Sequence, residues 1–384
     1  MTAPLNLRVL ELARILAGPW AGQLLADLGA DVIKVERPGE GDDTRHWGPP
    51  FLTGRDEADL GAAYFHSCNR GKRSIAIDIA TPAGQAQVRA LAAQADVVIE
   101  NYKVGGLARY GLDAAALRAE NPGLVYCSIT GFGQTGPYAH RAGYDFIIQG
   151  MGGAMSITGE PDGPPQKSGV AYADVFTGVY ATVAILAAIE RRHTTGEGAT
   201  IDMALLDTQV GVLANQALNW MASGVVPGRM GNGHANLAPY QSFPCSDGDL
   251  IVAVGNDRQF ARACAVLGEP ALATDERFAT NPARVANRVE LIPKITALTL
   301  RRRASELHAA LEAAGVPVGA VNRIDQVFAD PQVVARGMRI APEDGRGDAL
   351  PGLASPIVID GGRMAAPGAA PRLGEHEGAG WRPR

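Results

Sequence analysis

Strand and helix patterns alternate through the first 130 residues, and no other feature of the chain constrains its fold as tightly. Leu7–Leu12 (LRVLEL) has strand character. Pro19–Leu28 carries Trp20, Leu24, Leu25 and Leu28 at helical spacing, and Asp31–Glu36 (DVIKVE) is a second strand. Gly29 ends the helix between them. Two strands joined by a helix read as a parallel pair, because an antiparallel pair needs only a turn. The alternation continues with a strand at Ser74–Asp78, a helix at Thr81–Ala95 and a strand at Asp96–Glu100, then a helix at Asp113–Glu120 and a strand at Leu124–Thr130. An α/β chain with a Rossmann-like open parallel sheet is the expected class.

Further along, Asp174–Arg192 is apolar on most sides and reads as a central helix. Met203–Ser223 reads as one long connecting helix, and the Gly- and Pro-rich stretch Gly224–Pro244 as a boundary or active-site loop. A second unit opens with the strand Leu250–Val254, turns helical through Ala314 and returns to a strand at Val318–Val321. The tail from Gly361 reads as irregular. A length of 384 residues also argues for two domains.

A net charge of -5 gives no bulk electrostatic case for nucleic acid or an anionic membrane as partner. The four cysteines, Cys68, Cys127, Cys245 and Cys264, form no C-x-x-C pair and no zinc-like spacing, so they read as reduced thiols in a cytosol. The N-terminal stretch does not read as a secretory leader, since Arg8, Glu11 and Arg14 interrupt its apolar residues. The longest apolar run, Val179–Ile189, is short for a bilayer and reads as a buried helix.

Four motifs bear on chemistry. Gly131–Gly136 (GFGQTG) matches the dinucleotide fingerprint and follows a strand. However, Pro137 follows directly and no helical face comes after it, so a glycine-shaped active-site loop is the better reading. Asn69–Ser74 (NRGKRS) sets Arg70, Lys72 and Arg73 together. Such a cluster can hold phosphates, but composition alone favours a solvated loop. Arg37 stands at the carboxyl end of a strand, where open α/β sheets bind ligands. Asp174 begins the apolar helix, where position alone favours an N-cap role. Gly169 and Gly178 would leave space at its carboxylate, and the helix N-terminus would favour its ionised form.

The collinear segments ARILAGP (13–19), LGADVIKVERPGEGD (28–42), NRGKRSIAID (69–78), DVVIENY (96–102), GFGQTGPYAHRAGYD (131–145) and SGVAYADVFTG around Asp174 resemble the class III CoA transferases. APYQSF (238–243), GNDRQF, RVANR and DPQVVARG extend the resemblance through nearly the whole chain. Its closest pattern is that of dicarboxylate CoA transferases of the succinate–glutarate type. The resemblance implies that Asp174 is a covalent nucleophile. It also implies that Leu16, Ala17, Arg37, Ile77, Asn101, Tyr102, Arg109, Tyr144 and Asp145 contact CoA. Ala142 stands where the family has a CoA-contacting lysine, and Leu16 where formyl-transferring members have glutamine. Arg229, His234, Asn236 and Tyr240 are the residues considered for a second substrate carboxylate. Each could equally be a loop residue serving structure.

The implied architecture is a large domain of residues 1–200 with 325–384, a linker helix 201–224, a small α+β domain 225–324 and an interlocked homodimer. The implied partners are acyl-CoA and small carboxylic acids, with coenzyme A as substrate, no permanently bound cofactor and no metal. Two other readings stand beside transfer: an α-methylacyl-CoA racemase of the same fold, and a non-catalytic CoA-binding protein. Related racemases carry a His-Asp pair where this chain has Tyr144-Asp145. Tyrosine is a poor base at neutral pH, which favours transfer, and His140 and His234 are the alternative bases.

Overall fold

The structure, a computed structural model, describes residues 5–384. The chain divides into two compact units. One comprises residues up to 154 together with 168–214 and 330–384, and the other 155–167 with 215–329.

The larger unit is built on six strands: β1 (Arg8–Glu11), β2 (Asp31–Glu36), β3 (Arg73–Ala76), β4 (Val97–Glu100), β5 (Val125–Thr130) and β6 (Ala199–Ala204). Their spatial order is β3-β2-β1-β4-β5-β6 and every neighbouring pair is parallel. This is the doubly wound order of dinucleotide-binding sheets, in which the winding reverses between β1 and β4.

Alternate residues of β1, β2, β4 and β5 bury on opposite faces. Val9, Val32, Val97 and Val125 pack on one face with Leu25 of helix α1 (Ala17–Asp27). Leu10, Ile33, Val98 and Tyr126 pack on the other with Val88 of α2 (Pro82–Ala92) and Leu117 of α3 (Ala114–Glu120). Thr81 caps α2 by accepting from the Gly84 amide, and Pro82 opens that helix.

Helices α4 (Asp145–Met151), α5 (Tyr172–Thr195) and α6 (Leu205–Gly211) complete the unit's core. By length and composition α5 could cross a membrane, but Ala173, Ala181, Ile185 and Ile189 bury it in the same cluster as α1. Its approach to α1 depends on Gly178, where a Cβ would fall 2.7 Å from Ala17 O and 2.9 Å from Trp20 Cβ. Gly178 therefore serves helix packing and does not make room for a carboxylate.

The single helix expected over Met203–Ser223 is in fact strand β6, then α6, then a separate helix Asn215–Ser223. Ala214, at φ 47°, turns the chain between the helices. β6 gives no buried-strand pattern of its own because it lies at the sheet edge, where its residues are only partly buried. The C-terminal tail is largely irregular, as expected, yet it is bound. The His376 amide donates to Ser74 O on edge strand β3, and the Trp381 indole donates to Leu91 O. Edge groups of the sheet are covered this way.

The smaller unit holds a three-stranded antiparallel sheet of β7 (Tyr240–Cys245), β8 (Gly248–Ala253) and β9 (Val318–Ala320), in the order β9-β8-β7. Phe243, Leu250 and Val252 pack against Phe260, Leu291 and Leu307 from its helices. The loop expected through Pro244 thus ends in a strand, with Pro244 paired opposite Asp249 on the sheet's edge strand.

Candidate active site

A cavity of about 640 Å³ opens beyond the carboxyl ends of β1, β4 and β5, at the reversal of strand order. Open α/β sheets bind ligands at this place. Its wall is made by Arg14–Ala17 after β1, Asn101–Gly106 after β4, Thr130 and Gly131 at the end of β5, Ala142–Tyr144, and Asp174 of α5.

The loop after β1 is held in an unfavourable shape. Ile15, a β-branched residue, sits at φ 72°. Two clamps keep it there. The Asn101 side chain accepts from the Arg14 amide (2.9 Å) and donates to Arg14 O (2.6 Å). The Asp42 carboxylate accepts from the Ile15 amide at 3.2 Å.

Behind the loop lies a buried charge network. Lys34 reaches Glu11 (2.9 Å), Asp42 (2.9 Å) and Ala13 O (2.7 Å), and Lys72 reaches Glu11 (2.8 Å), Pro19 O (2.8 Å) and Asn69 (2.8 Å). Burial disfavours charge at Asp42, but Lys34 and the Thr44 amide outweigh it and hold the carboxyl at about 2. In turn the carboxylates of Asp42 and Glu11, joined by that of Glu36, raise Lys34 against its burial.

The basic cluster of Asn69–Ser74 is not a solvated loop. Arg70 is buried on Asp27, Lys72 on Glu11 and Arg73 on Asp31. These charges organise the fold and are already matched, so they do not form an open phosphate site. Glu36, at the carboxyl end of β2, is likewise occupied by a bidentate Arg45 (2.8 and 2.7 Å).

Asp174 is the third residue of α5, not its cap. The N-cap residue Ala171 supplies no side-chain bond. Instead Asp145, the first residue of α4, caps α5 from outside: its Oδ1 accepts from the Ala173 amide at 2.8 Å and lies 3.5 Å from the Asp174 amide nitrogen. Burial first, and the Asp145 charge second, push the Asp174 carboxyl up to about 7. The helix N-terminus, which favours the ionised form, is outweighed. The Tyr64 phenol lies within the same field and is pushed up to about 12 by burial and by Asp174, so it stays neutral. Tyr64 meets the cavity-lining Trp47 edge to face at 5.3 Å. Neither aromatic stands out in the sequence, because each lies in an irregular stretch or a single helical turn with no periodic signal.

Of the expected CoA contacts, Leu16, Ala17, Asn101, Tyr102, Arg109 and Tyr144 come together in the cavity wall. Arg37 is exposed beyond β2 and paired with Glu40 at 2.6 Å, outside the wall. Ile77 is a core residue under α2. Asp145 stands behind Asp174 and supports its helix. The lining cations Arg14, Lys103 and Arg141 were not foreseen as contacts. Arg141, next to Ala142, stacks on Tyr138 at 3.9 Å.

The other expected substrate contacts lie in the smaller unit and have local partners. Arg229 donates to Glu160 O (3.2 Å), and His234 Nδ1 accepts from the Asn236 (3.0 Å) and Leu237 (3.1 Å) amides. Asn236 bonds Asn215 and Asn219, and the Tyr240 ring lies 5.0 Å from that of His234.

The glycine-rich segments Gly131–Gly136 and Gly231–Gly233 differ in role. Gly131 and Gly143 both line the cavity, and a Cβ on Gly131 would fall 2.5 Å from Gly143 Cα. The two backbones touch, so neither position admits a side chain. By contrast the Gly231 and Gly233 amides are already spent on Gly159 O and Met230 O. Among the described residues no group of three His, Cys, Asp or Glu is placed to hold a metal.

The sequence model of CoA-transferase family III matches residues 5–377. The chain is 57% identical over 372 residues to a succinate–glutarate CoA-transferase of Agrobacterium fabrum, covering 97% of this chain and 93% of that protein. It is 44% identical over 333 residues to the succinyl-CoA:glutarate CoA-transferase of Mus musculus, covering 87% of this chain and 75% of the relative. A crystal structure of a CAIB/BAIF family protein from Brucella suis superimposes with a TM-score of 0.86 at 57% identity, covering 98% of each chain.

Proposed function

Because the chain belongs to CoA-transferase family III and is a CoA transferase, we propose that it moves CoA from succinyl-CoA or another dicarboxylyl-CoA to a free dicarboxylate through covalent intermediates on Asp174. One observation carries this reading: the Asp174 carboxyl lines a cavity at the sheet's reversal point, and the charge that acts on it is the carboxylate of Asp145.

The exchange takes four steps. Asp174 attacks the thioester carbonyl, forming a mixed anhydride and expelling the CoA thiolate. The thiolate attacks the aspartyl carbonyl, giving an aspartyl-CoA thioester and releasing the donor acid. The acceptor carboxylate attacks that thioester, forming a new anhydride and expelling thiolate again. The thiolate then attacks the acceptor's acyl carbonyl, and Asp174 leaves as carboxylate. The sequence is nucleophilic catalysis with no net proton transfer. It needs only carboxylates and thiolate, so we propose no resident cofactor or metal. Water must be kept from the anhydrides. The Gly131–Gly143 contact narrows the wall, and the amides of this region are our choice for stabilising the oxyanions.

CoA's phosphates and the second carboxylate of the acceptor call for cations, which Lys103, Arg109 and Arg141 supply in the wall, beside an Arg14 that is paired with Asp43 at 2.8 Å. The four buried thiols support a reducing, cytosolic setting. Exposed Phe146, Ile147 and Met151 on α4 and Val179, Tyr180 and Val183 on α5 support a homodimer in which a second copy covers them.

Incubation with succinyl-CoA and a panel of free acids, read by mass spectrometry for new acyl-CoA, tests the reading. Transfer to dicarboxylates such as glutarate is expected. Epimerisation of a chiral 2-methylacyl-CoA with no transfer to any acid would overturn it in favour of the racemase.

A further inference from the structure

Gln149 lies one helical turn after Asp145 on α4 and is 1% exposed. A buried side-chain amide must have its donors and acceptor satisfied. This one is used in full. Its Nε2 donates to Asp145 Oδ2 at 2.7 Å and lies 3.4 Å from Val170 O, while its Oε1 accepts from the Ser168 amide at 2.9 Å. One carboxamide thus ties the chain entering α5 to the carboxylate that caps α5. The other Asp145 oxygen holds the Ala173 amide, and the next residue is Asp174.

We propose that Gln149 is a positioning residue of the transferase, acting through Asp145 to fix the first turn of α5 and with it the Asp174 carboxylate. The proposal rests on Asp174 being the nucleophile. The geometry gives Asp145 two duties that pull against each other. It must approach α5 closely enough to cap it, yet as an anion it repels Asp174. A carboxylate free to turn would relieve that repulsion by swinging away, uncapping α5 and displacing Asp174. The Gln149 amide prevents this by holding Oδ2 while Oδ1 stays on Ala173. The fixed charge also favours acylation, because forming the anhydride on Asp174 removes one of two neighbouring negative charges.

The test is a double-mutant cycle of Gln149→Leu and Asp145→Asn in the full-length enzyme. The measurements are kcat, KM for succinyl-CoA with glutarate as acceptor, and thermal unfolding. Gln149→Leu is expected to fold and to lose roughly 10–100-fold in kcat, since a misplaced nucleophile costs about that much. KM should change little. The double variant should fall no more than about 3-fold below Asp145→Asn alone, because the two residues act through one contact.

Wild-type kcat in Gln149→Leu, or losses that multiply in the double variant, would overturn the proposal. If Gln149→Leu does not fold, the volume-matched Gln149→Met is read in its place. If neither folds, Gln149 serves the fold alone and the proposal fails. Asp174→Asn run alongside separates the two claims. Full transfer by that variant sinks the nucleophile assignment, whatever the cycle shows.

Discussion

The Asp174 amide nitrogen stands 3.5 Å from Asp145 Oδ1, so the first turn of the helix that carries the proposed nucleophile is met by a second carboxylate from another helix. Burial and this neighbour lift the Asp174 carboxyl to about 7. Only the ionised form attacks a thioester. The rate at low substrate should therefore rise with pH through a limb near 7, well above the ordinary carboxylate range. Asp145→Asn removes the repelling charge, so its limb should move to lower pH. Profiles of kcat/KM between pH 5 and 9 check both statements. A limb that does not move in the variant would deny Asp145 any electrostatic role.

The same shift carries a stability cost of known sign. Asp174 takes up its proton at about 7 when folded and at about 3.8 when unfolded. Between those values the native state binds more protons, so stability falls as pH rises through the window, and the full cost is present above 7. Asp174→Asn cannot ionise and escapes it. The variant should be inactive yet more stable at pH 8, by ~2 kcal/mol after allowing for partial exposure of the group. The gain should vanish near pH 4. Urea unfolding at the two pH values measures it.

Asn101 bonds both backbone groups of Arg14, next to the strained Ile15. Asn101→Ala leaves the loop after β1 held mainly by Asp42. The expected effect is a rise in KM for acyl-CoA of roughly 10-fold, worth the ~1 kcal/mol or more of hydrogen bonding lost, with a smaller change in kcat. Steady-state kinetics resolve the two.

Gly143→Ala would drive a Cβ into the Gly131 backbone. The two loops must part, opening the wall to water. We expect kcat for transfer to fall at least ~10-fold while hydrolysis of succinyl-CoA without acceptor becomes measurable. Free CoA release assayed without an acid detects it.

Much of the larger unit was legible because its strands bury both faces. Runs such as DVIKVE and DVVIE announce themselves without any partner in view. β6 and β7 did not, since each lies at a sheet edge and its identity depends on a neighbour far away in sequence. The cavity wall was foreseen at Leu16, Ala17, Asn101, Tyr102, Arg109 and Tyr144 through family resemblance alone. Roles set by long-range pairing were not readable. Lys34, Glu11 and Lys72 meet across 61 residues, and nothing local in NRGKRS says that its cations are buried. Asp145 likewise looked like a ligand contact. Only the fold shows that it caps a helix that begins 27 residues later, at Tyr172.

If Asp174 is the nucleophile, it is covalently loaded during turnover. Rapid acid quench of the enzyme with succinyl-CoA, followed by peptide mass spectrometry, tests it most directly. A succinyl or CoA adduct is expected on the peptide holding Asp174, lost in Asp174→Asn together with transfer. Undiminished transfer by Asp174→Asn, or turnover with the adduct on another residue, would contradict it.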